Sequence, residues 1–356
     1  MKVFFITTDL NFGGAQRITL FLASYFSQYY DCTLVVLDTK KNKTFNVPLG
    51  LKVVYLNTNT TIVSIIAYIK YLRIHKPTVV FSSLPLINLI NLFIRKFIFC
   101  RMKVVVRESS IFSQLVLFRG IKDKIIYLIF KISYNWADEI IVQSKDMFND
   151  LLENFRVNRD KLNLIYNPLT VSLVDRVINL ETNVLRILTI GRLSDEKGIL
   201  RLLDALAMVK RTVAFTLIGK GPLESEVLQC IESFGKNITV NYIREDSNIS
   251  IYFSAADLFL QGSYVEGFPN VVLEANYYGL PVFAFESIGG TSDIIDNGIN
   301  GFILKDKLQF VQEVEKFDSS LWECDLIKKH VFRKFNSDQS MNLYKMVFDR
   351  VLNKTI

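Results

Sequence analysis

Short runs rich in Val, Ile, Leu and Phe alternate with longer stretches whose apolar residues recur every three to four positions. A short apolar run bounded by polar turn residues predicts a strand buried on both faces, and the 3.6-residue period predicts a helix. The first half should hold strands near Val3–Thr7, Thr33–Leu37, Val53–Leu56, Thr78–Phe81, Lys103–Val106, Glu139–Val142 and Asn163–Tyr166. Helical periods fill most gaps, as at Ala15–Phe26 and Ile62–Arg73. In the second half strands fall near Arg186–Ile190, Ala214–Ile218, Ile238–Tyr242, Asp257–Leu260, Pro281–Phe285 and Gly301–Leu304, with helices such as Ile199–Lys210 and Leu223–Phe234 between them. This alternation predicts an α/β chain with two parallel sheets, each covered by helices on both faces. Asn167-Pro168 closes the first half, and the stretch 170–184 has no clear strand, so the link between domains belongs there. Ligands of such sheets bind beyond the carboxyl ends of the strands, here in a cleft between the domains.

Composition narrows the class. With 356 residues, half of them hydrophobic and 22% charged, the chain can build two cores. That excludes a disordered protein and a small disulfide scaffold. Cys32, Cys100, Cys230 and Cys324 form no close pair and read as thiols of a reducing compartment. His75 and His330 lie too far apart in sequence for a His-based zinc motif, and His75 before Lys76-Pro77 reads as a helix end. Residues 77–94 carry no charge, near the lower limit for a membrane-spanning helix. Ser82, Ser83, Pro85, Asn88 and Asn91 interrupt them, so a strand, a turn and a buried helix fit better. Nor does the N-terminus resemble a secretory leader, because Asp9 follows closely on the first apolar run.

The net charge of +7 is uneven. Residues 1–170 hold 22 Lys and Arg against 11 Asp and Glu; the remainder hold 20 against 24. A basic first half implies an acidic partner: a phosphate-bearing substrate, nucleic acid or an anionic membrane. Drift in surface charge is the plainer alternative.

Candidate chemistry gathers at the predicted strand ends. Gly13-Gly14-Ala15 follows the first strand, and glycines there let a backbone approach a ligand at a helix N-terminus. Gly191-Arg192-Leu193 with Glu196-Lys197-Gly198 places two cations where a helix begins, against the dipole, as an arrangement for binding phosphate would. Gly219-Lys220-Gly221-Pro222 ends the next strand and is suited to wall a nucleotide base. In Glu266-Gly267-Phe268-Pro269-Asn270 and on to Glu274, Pro269 suits a first helical position, and Asn270 and Glu274 share a helix face. Carboxylates there suit sugar hydroxyls, and backbone amides suit phosphate. Gly279-Leu280-Pro281 and Gly289-Gly290 follow in the same region. Each motif alone is weak: double glycines are also plain turns, and surface cations are usually only solvated.

In combination and order these residues, with Asn167-Pro168 and Asn300-Gly301, resemble the retaining glycosyltransferases of the GT-B fold, the large GT4-type family. The resemblance spans nearly the whole chain and is densest from 186 to 304. It implies two Rossmann-like domains: 1–170 on the acceptor side and 171–336 for the nucleotide sugar, with a last helix within 337–356 packing back on the first. It further implies that Arg192 and Lys197 hold the donor diphosphate and that Glu266 meets the donor sugar, helped by the backbone of Gly267, Phe268 and Pro269. Asn270 and Glu274 would complete the donor site, Glu274 at the ribose. Gly191, Gly219 and Gly221 would line it, and Gly13 and Gly14 would approach the diphosphate from the first domain. Front-face transfer with retention is implied, the leaving phosphate oxygen taking the acceptor proton.

Two fixed cations and a helix N-terminus can stabilise a leaving diphosphate without a metal, and the chain has no Asp-x-Asp triplet. No cofactor or metal is expected. Many relatives carry a histidine where this chain has Arg107-Glu108-Ser109, tentative acceptor residues; Glu108 either binds an acceptor hydroxyl or pairs with Arg107. After Gly290 many relatives have a glutamate, where this chain has Asp293 three residues on. UDP-linked sugars, N-acetylhexosamines first, are the expected donors. The expected acceptor is a polyprenyl-diphosphate-linked glycan of bacterial surface polysaccharide synthesis, O-antigen or capsule. The alternatives are a GT-B sugar-nucleotide epimerase and a non-catalytic binder of anions or nucleic acid, for which no nucleic-acid motif speaks. A cytoplasmic enzyme peripheral on the inner membrane follows from the acceptor and from two segments that mix aromatic and basic residues. Phe93–Lys103 holds Phe93, Phe97, Phe99, Arg95, Lys96 and Arg101; Leu115–Trp136 holds Phe118, Tyr127, Phe130, Tyr134, Arg119, Lys122, Lys124 and Lys131. Alternatively these helices bury their aromatics and expose only solvated lysines.

Overall fold

The computed structural model describes residues 1–11, 13–37, 46–58, 61–118, 121–169 and 183–353, without the side chains of 61 and 121–123. Phe12, Arg119, the Lys122 side chain and most of the interdomain link read at 170–184 lie outside the described residues. The chain divides into two compact units, Met1–Thr170 with Ser337–Ile356, and Val171–Asn336.

Unit 1 is built on seven parallel strands: β1 (Lys2–Thr7), β2 (Asp31–Val36), β3 (Lys52–Tyr55), β4 (Val79–Ser82), β5 (Lys103–Arg107), β6 (Glu139–Val142) and β7 (Leu162–Leu164). They lie in the order β3-β2-β1-β4-β5-β6-β7. The connections carry α1 (Gly14–Phe26), α2 (Thr61–His75), α3 (Pro85–Phe97), α4 (Phe112–Leu115), α5 (Ile121–Ser133) and α6 (Lys145–Glu153). Apolar runs such as Val3-Phe4-Phe5-Ile6 are buried on both faces, which only helices on both sides of a parallel sheet provide.

Unit 2 repeats the plan with β8 (Leu185–Ile190), β9 (Val213–Ile218), β10 (Ile238–Ile243), β11 (Leu258–Gln261), β13 (Val282–Phe285) and β15 (Gly301–Leu304), ordered β10-β9-β8-β11-β13-β15. Two-residue strands β12 (Val265–Glu266) and β14 (Ile288–Gly289) pair separately. Its helices are α7 (Ile199–Leu206), α8 (Glu224–Glu232), α9 (Ser250–Ala255), α10 (Asn270–Tyr277), α11 (Thr291–Ile294), α12 (Lys307–Glu315) and α13 (Cys324–Lys334). The last helix, α14 (Ser337–Asn353), returns to unit 1 and buries Tyr344, Val347, Phe348 and Val351 in its core.

The uncharged stretch 77–94 is divided between β4 and α3. Its polar residues build a buried network. Thr19 and Ser83 hydroxyls lie 2.8 Å apart, Ser82 Oγ donates to Asn88 Oδ1 at 2.7 Å, and Asn88 Nδ2 donates to the Arg107 carbonyl at 3.1 Å. This ties together the carboxyl ends of β4 and β5. Among the described residues no helix is long and apolar enough to cross a membrane.

Candidate functional site

In both sheets the strand order reverses beside the first strand of the unit, between β1 and β4 and between β8 and β11. The crevice outside the carboxyl ends of such a pair is where doubly wound sheets take ligands. In unit 2 the loop after β8 carries Gly191, Arg192 and Lys197, and the loop after β11 leads to Glu266 on β12. Lys197 Nζ lies 2.7 Å from each Glu266 carboxylate oxygen, so two residues 69 positions apart meet at the switch point. Arg192 stays exposed and has no ion-pair partner among the described residues.

Glycine permits this approach. Gly198 has φ +54, and a Cβ there would stand 2.0 Å from the Gly262 carbonyl oxygen. Tyr264 N donates to the Glu196 carbonyl at 2.9 Å, stitching the two loops together. A Cβ on Gly219 would stand 1.8 Å from the Gly191 oxygen, and one on Gly221 2.2 Å from the Leu193 oxygen, so the loop after β9 presses on the same wall. Opposite it, Glu266 pairs with Gly289 in β12–β14, and Gly290 N donates to the Gly267 carbonyl at 3.1 Å.

Pro269 precedes α10 as its N-cap, with ψ 89, one position earlier than expected, because its backbone is not yet helical. Asn270 opens α10, and Glu274, one turn on, is buried. The Phe268 ring packs edge-on against Phe335, 5.7 Å between centroids, which leaves its backbone as the part suited to a ligand. The helix Ile199–Lys210 stops at Leu206, where Ala207 caps it and a turn follows.

Sequence reasoning missed the support of Glu266. Ser263 Oγ donates to its Oε1 at 2.6 Å and Gln261 Nε2 at 3.1 Å. A polar residue ending the apolar run Leu258–Gln261 was the available signal. Arg201 stacks 3.8 Å from the Tyr264 ring centroid and 4.6 Å from that of Phe285, while donating to the Gly262 and Ser263 carbonyls. It thereby fastens the loop that carries Ser263. Burial pushes its guanidinium down to about 10.

In unit 1, Gly13 caps α1 and Arg17 N donates to its carbonyl at 3.0 Å, with Gly14 as the first helical residue. Arg107, Glu108 and Ser109 follow one strand over from the switch point, so they are not brought against the Gly13-Gly14 turn by the sheet order. The Arg107–Glu108 ion pair read as an alternative does not form, since neighbours on an extended backbone point oppositely. Arg107 donates from Nε to Tyr344 Oη at 3.1 Å and from Nη2 to Asn167 Oδ1 at 2.5 Å. Glu108 accepts from Ser109 N at 2.9 Å, from Ser110 N at 3.2 Å and from the Tyr134 hydroxyl. Burial raises the Glu108 carboxyl above its ordinary value, against the hydrogen bonds that lower it. Arg107 and Glu108 are buried and engaged with neutral partners; of the three only Ser109 is half-exposed.

Residues 174–346 match the family described as glycosyl transferases group 1, and residues 12–173 match glycosyltransferase family 4. A Campylobacter jejuni α-1,4-N-acetyl-D-galactosaminyltransferase, named for an acceptor GalNAc-alpha-(1->4)-GalNAc-alpha-(1->3)-diNAcBac-PP-undecaprenol, is 25% identical over 346 residues, 90% of this chain and 91% of that one. The amylovoran biosynthesis glycosyltransferase AmsD of Erwinia amylovora is 24% identical over 297 residues, 81% and 82% of the two chains. Among solved structures, Anabaena HepE in complex with UDP and glucose aligns with a TM-score of 0.78 at 16% identity, covering 98% of this chain and all of that one. The fold is GT-B, two parallel-sheet α/β domains.

Proposed function

The chain belongs to the GT4-type glycosyltransferases, and we propose that it moves a sugar from a UDP-linked donor on unit 2 to a polyprenyl-diphosphate-linked glycan on unit 1, with retention. The observation that carries this reading is the meeting of Lys197 with Glu266 at the switch point of unit 2, walled by glycines that bring backbone close.

In this reading Arg192 and Lys197 hold the diphosphate, and the N-terminus of α10 adds its dipole. Glu266 accepts from the donor sugar hydroxyls, with the backbone of Gly267–Pro269 beside it. Asn270 and Glu274 serve the nucleotide end, Glu274 at the ribose, with Gly191, Gly219 and Gly221 admitting the ligand. Gly13 and Gly14, at the start of α1, leave backbone open to a phosphate at that helix N-terminus. The C1–oxygen bond of the donor breaks, leaving an oxocarbenium-like carbon and a more negative diphosphate that the two cations stabilise. The acceptor oxygen bonds C1 from the same face, and its proton passes to the departing phosphate oxygen. This scheme asks for no metal or cofactor. The name of the Campylobacter relative supports an acceptor glycan carried on a diphospho-polyprenol, and that of the Erwinia relative supports a biosynthetic glycosyltransferase role. Such an acceptor places the enzyme at the cytoplasmic face of the inner membrane.

The test is incubation with UDP-, GDP- and TDP-sugars, with and without a polyprenyl-diphosphate glycan, following nucleotide release and the anomeric proton of the product. Acceptor-dependent UDP release with retained configuration is expected. An inverted product overturns the mechanism, and acceptor-independent epimerisation of the donor overturns the reaction class.

A further inference from the structure

Unit 2 carries a cavity away from its switch point. About 310 Å³ in volume, it is lined by Phe283, Phe302, Phe317 and Trp322 together with Glu313 and Lys316. Phe283 and Phe302 are paired second residues of β13 and β15, the outer two strands on that side of the sheet. The cavity therefore lies near the amino ends of these strands, whereas Lys197 and Glu266 meet beyond the carboxyl ends of β8 and β11. Its walls are held in place. Arg211 Nη1 donates to the Phe317 carbonyl at 2.8 Å and to the Val314 carbonyl at 3.2 Å, which fastens the end of α12. Asp318 Oδ1 accepts from Ser320 N at 2.9 Å and closes the turn that delivers Trp322. The Trp322 indole stands at 63° to the Phe283 ring and 83° to the Phe302 ring, 5.9 and 5.5 Å away, and among the described residues no aromatic ring lies parallel against it. Phe283 and Phe317 are buried, while Phe302 and Trp322 are half-buried. Beside these rings stand half-buried Glu313 and exposed Lys316, neither of which makes an ion pair among the described residues.

We propose that this cavity is a second carbohydrate site, which takes one pyranose ring of a neutral glycan apart from the transfer reaction. An indole face suits the apolar C–H face of a pyranose. Ligand pockets combine an apolar lining with a few polar groups that orient what they hold. Here Glu313 accepts from ring hydroxyls, and Lys316, one turn on, donates to a further oxygen. Asp318 is committed to its own turn, which leaves one carboxylate and one ammonium, a balance that suits a neutral sugar better than a phosphate. The proposal goes beyond the transfer reaction and takes from it only that the chain handles glycans. An added peptide strand fits worse. On the outer edge of β15 the Gly301 carbonyl accepts from Gly298 N at 3.0 Å, and Ile303 N donates to Asn297 Oδ1 at 2.7 Å, so these ladder groups are already engaged.

Trp136 and Trp322 are the only tryptophans, so Trp136→Phe leaves Trp322 as the sole fluorescent indole. Its emission should change saturably with at least one of the free trisaccharides of glucose, galactose, N-acetylglucosamine and N-acetylgalactosamine, and the protons of that sugar should receive saturation transfer in NMR. Glu313→Gln with Lys316→Gln should weaken binding roughly tenfold, the size of one charge-assisted hydrogen bond, with an unchanged melting midpoint. Trp322→Ala should remove the saturation transfer; if that variant melts early, the Gln pair carries the test. Silence of all four trisaccharides overturns the proposal, and so does full binding by the Gln pair. Loss of the Trp322 response on adding UDP, or in Glu266→Ala, also overturns it, because the sugar would then sit at the donor site. Lys197→Ala separates the two readings: it should stop nucleotide release and keep trisaccharide binding.

Discussion

Lys197 and Glu266 form a two-pronged ion pair, Nζ at 2.7 Å from both carboxylate oxygens, and Ser263 and Gln261 complete the grip on Oε1. Groups so joined work as a unit. We predict that Lys197→Ala and Glu266→Ala each lower transfer a hundredfold or more, about 3–4 kcal/mol of transition-state stabilisation, with the fold retained by circular dichroism. The double variant should fall little below the poorer single one, since neighbouring sites are not additive. Fully multiplicative losses in steady-state kinetics would show that the pair does not act jointly.

The glycines divide into two kinds, and melting experiments should separate them. Gly198→Ala needs a left-handed backbone at φ +54 and meets the Gly262 oxygen, so it should lose at least about 1–3 kcal/mol of stability. Gly191 has nothing within 4 Å of its would-be Cβ. Gly191→Ala should therefore melt as the wild type does while raising the donor KM. An alanine variant with unchanged KM would remove ligand approach at that turn.

Chelation supplies a third check. With Arg192 and Lys197 as the diphosphate's counter-charges, activity after exhaustive treatment with EDTA should stay within about twofold of the untreated enzyme. Complete loss, restored by a divalent cation, would contradict the scheme.

How far the sequence carries is visible in single residues. Thirteen strands follow from their apolar runs with ends within about two residues, because burial on both faces leaves an uninterrupted signal. The pair Val265–Glu266 and Ile288–Gly289 escapes, since two residues carry no period. The motif glycines identify the site loops, but the backbone clash that requires glycine at 198 depends on Gly262, 64 residues away. Adjacency of Arg107 and Glu108 suggests a pair, whereas their real partners, Tyr344 and Tyr134, come from helical segments that no local pattern links to β5. Long-range polar contacts of this kind are fixed by tertiary packing alone.

Glu108 gives a dependence of stability on pH. Burial raises its carboxyl above the unfolded value. A raised value means that its contribution is fully present below the unfolded pKa and is lost as pH rises through the folded one. Urea unfolding should thus show wild type losing stability relative to Glu108→Gln between about pH 4 and the raised value, and a constant offset above it. A difference that is flat across pH 4–7 would mean that the carboxyl ionises freely.

The return of α14 sets an order of events in synthesis. Phe348 lies between Phe5, Phe26 and Phe81, at centroid distances of 5.8, 4.8 and 6.0 Å. Unit 2 is one unbroken stretch and can close as soon as it emerges, but unit 1 must wait for a segment that follows the whole of unit 2. At about 5–20 residues per second the wait is roughly 10–30 s, during which those three rings lack their cover. Ribosome-held chains stopped at residue 336 should be cut by protease within unit 1, and released full chains should resist. The half made first is the half finished last, and its exposure to chaperones during that interval is written into the route of the chain.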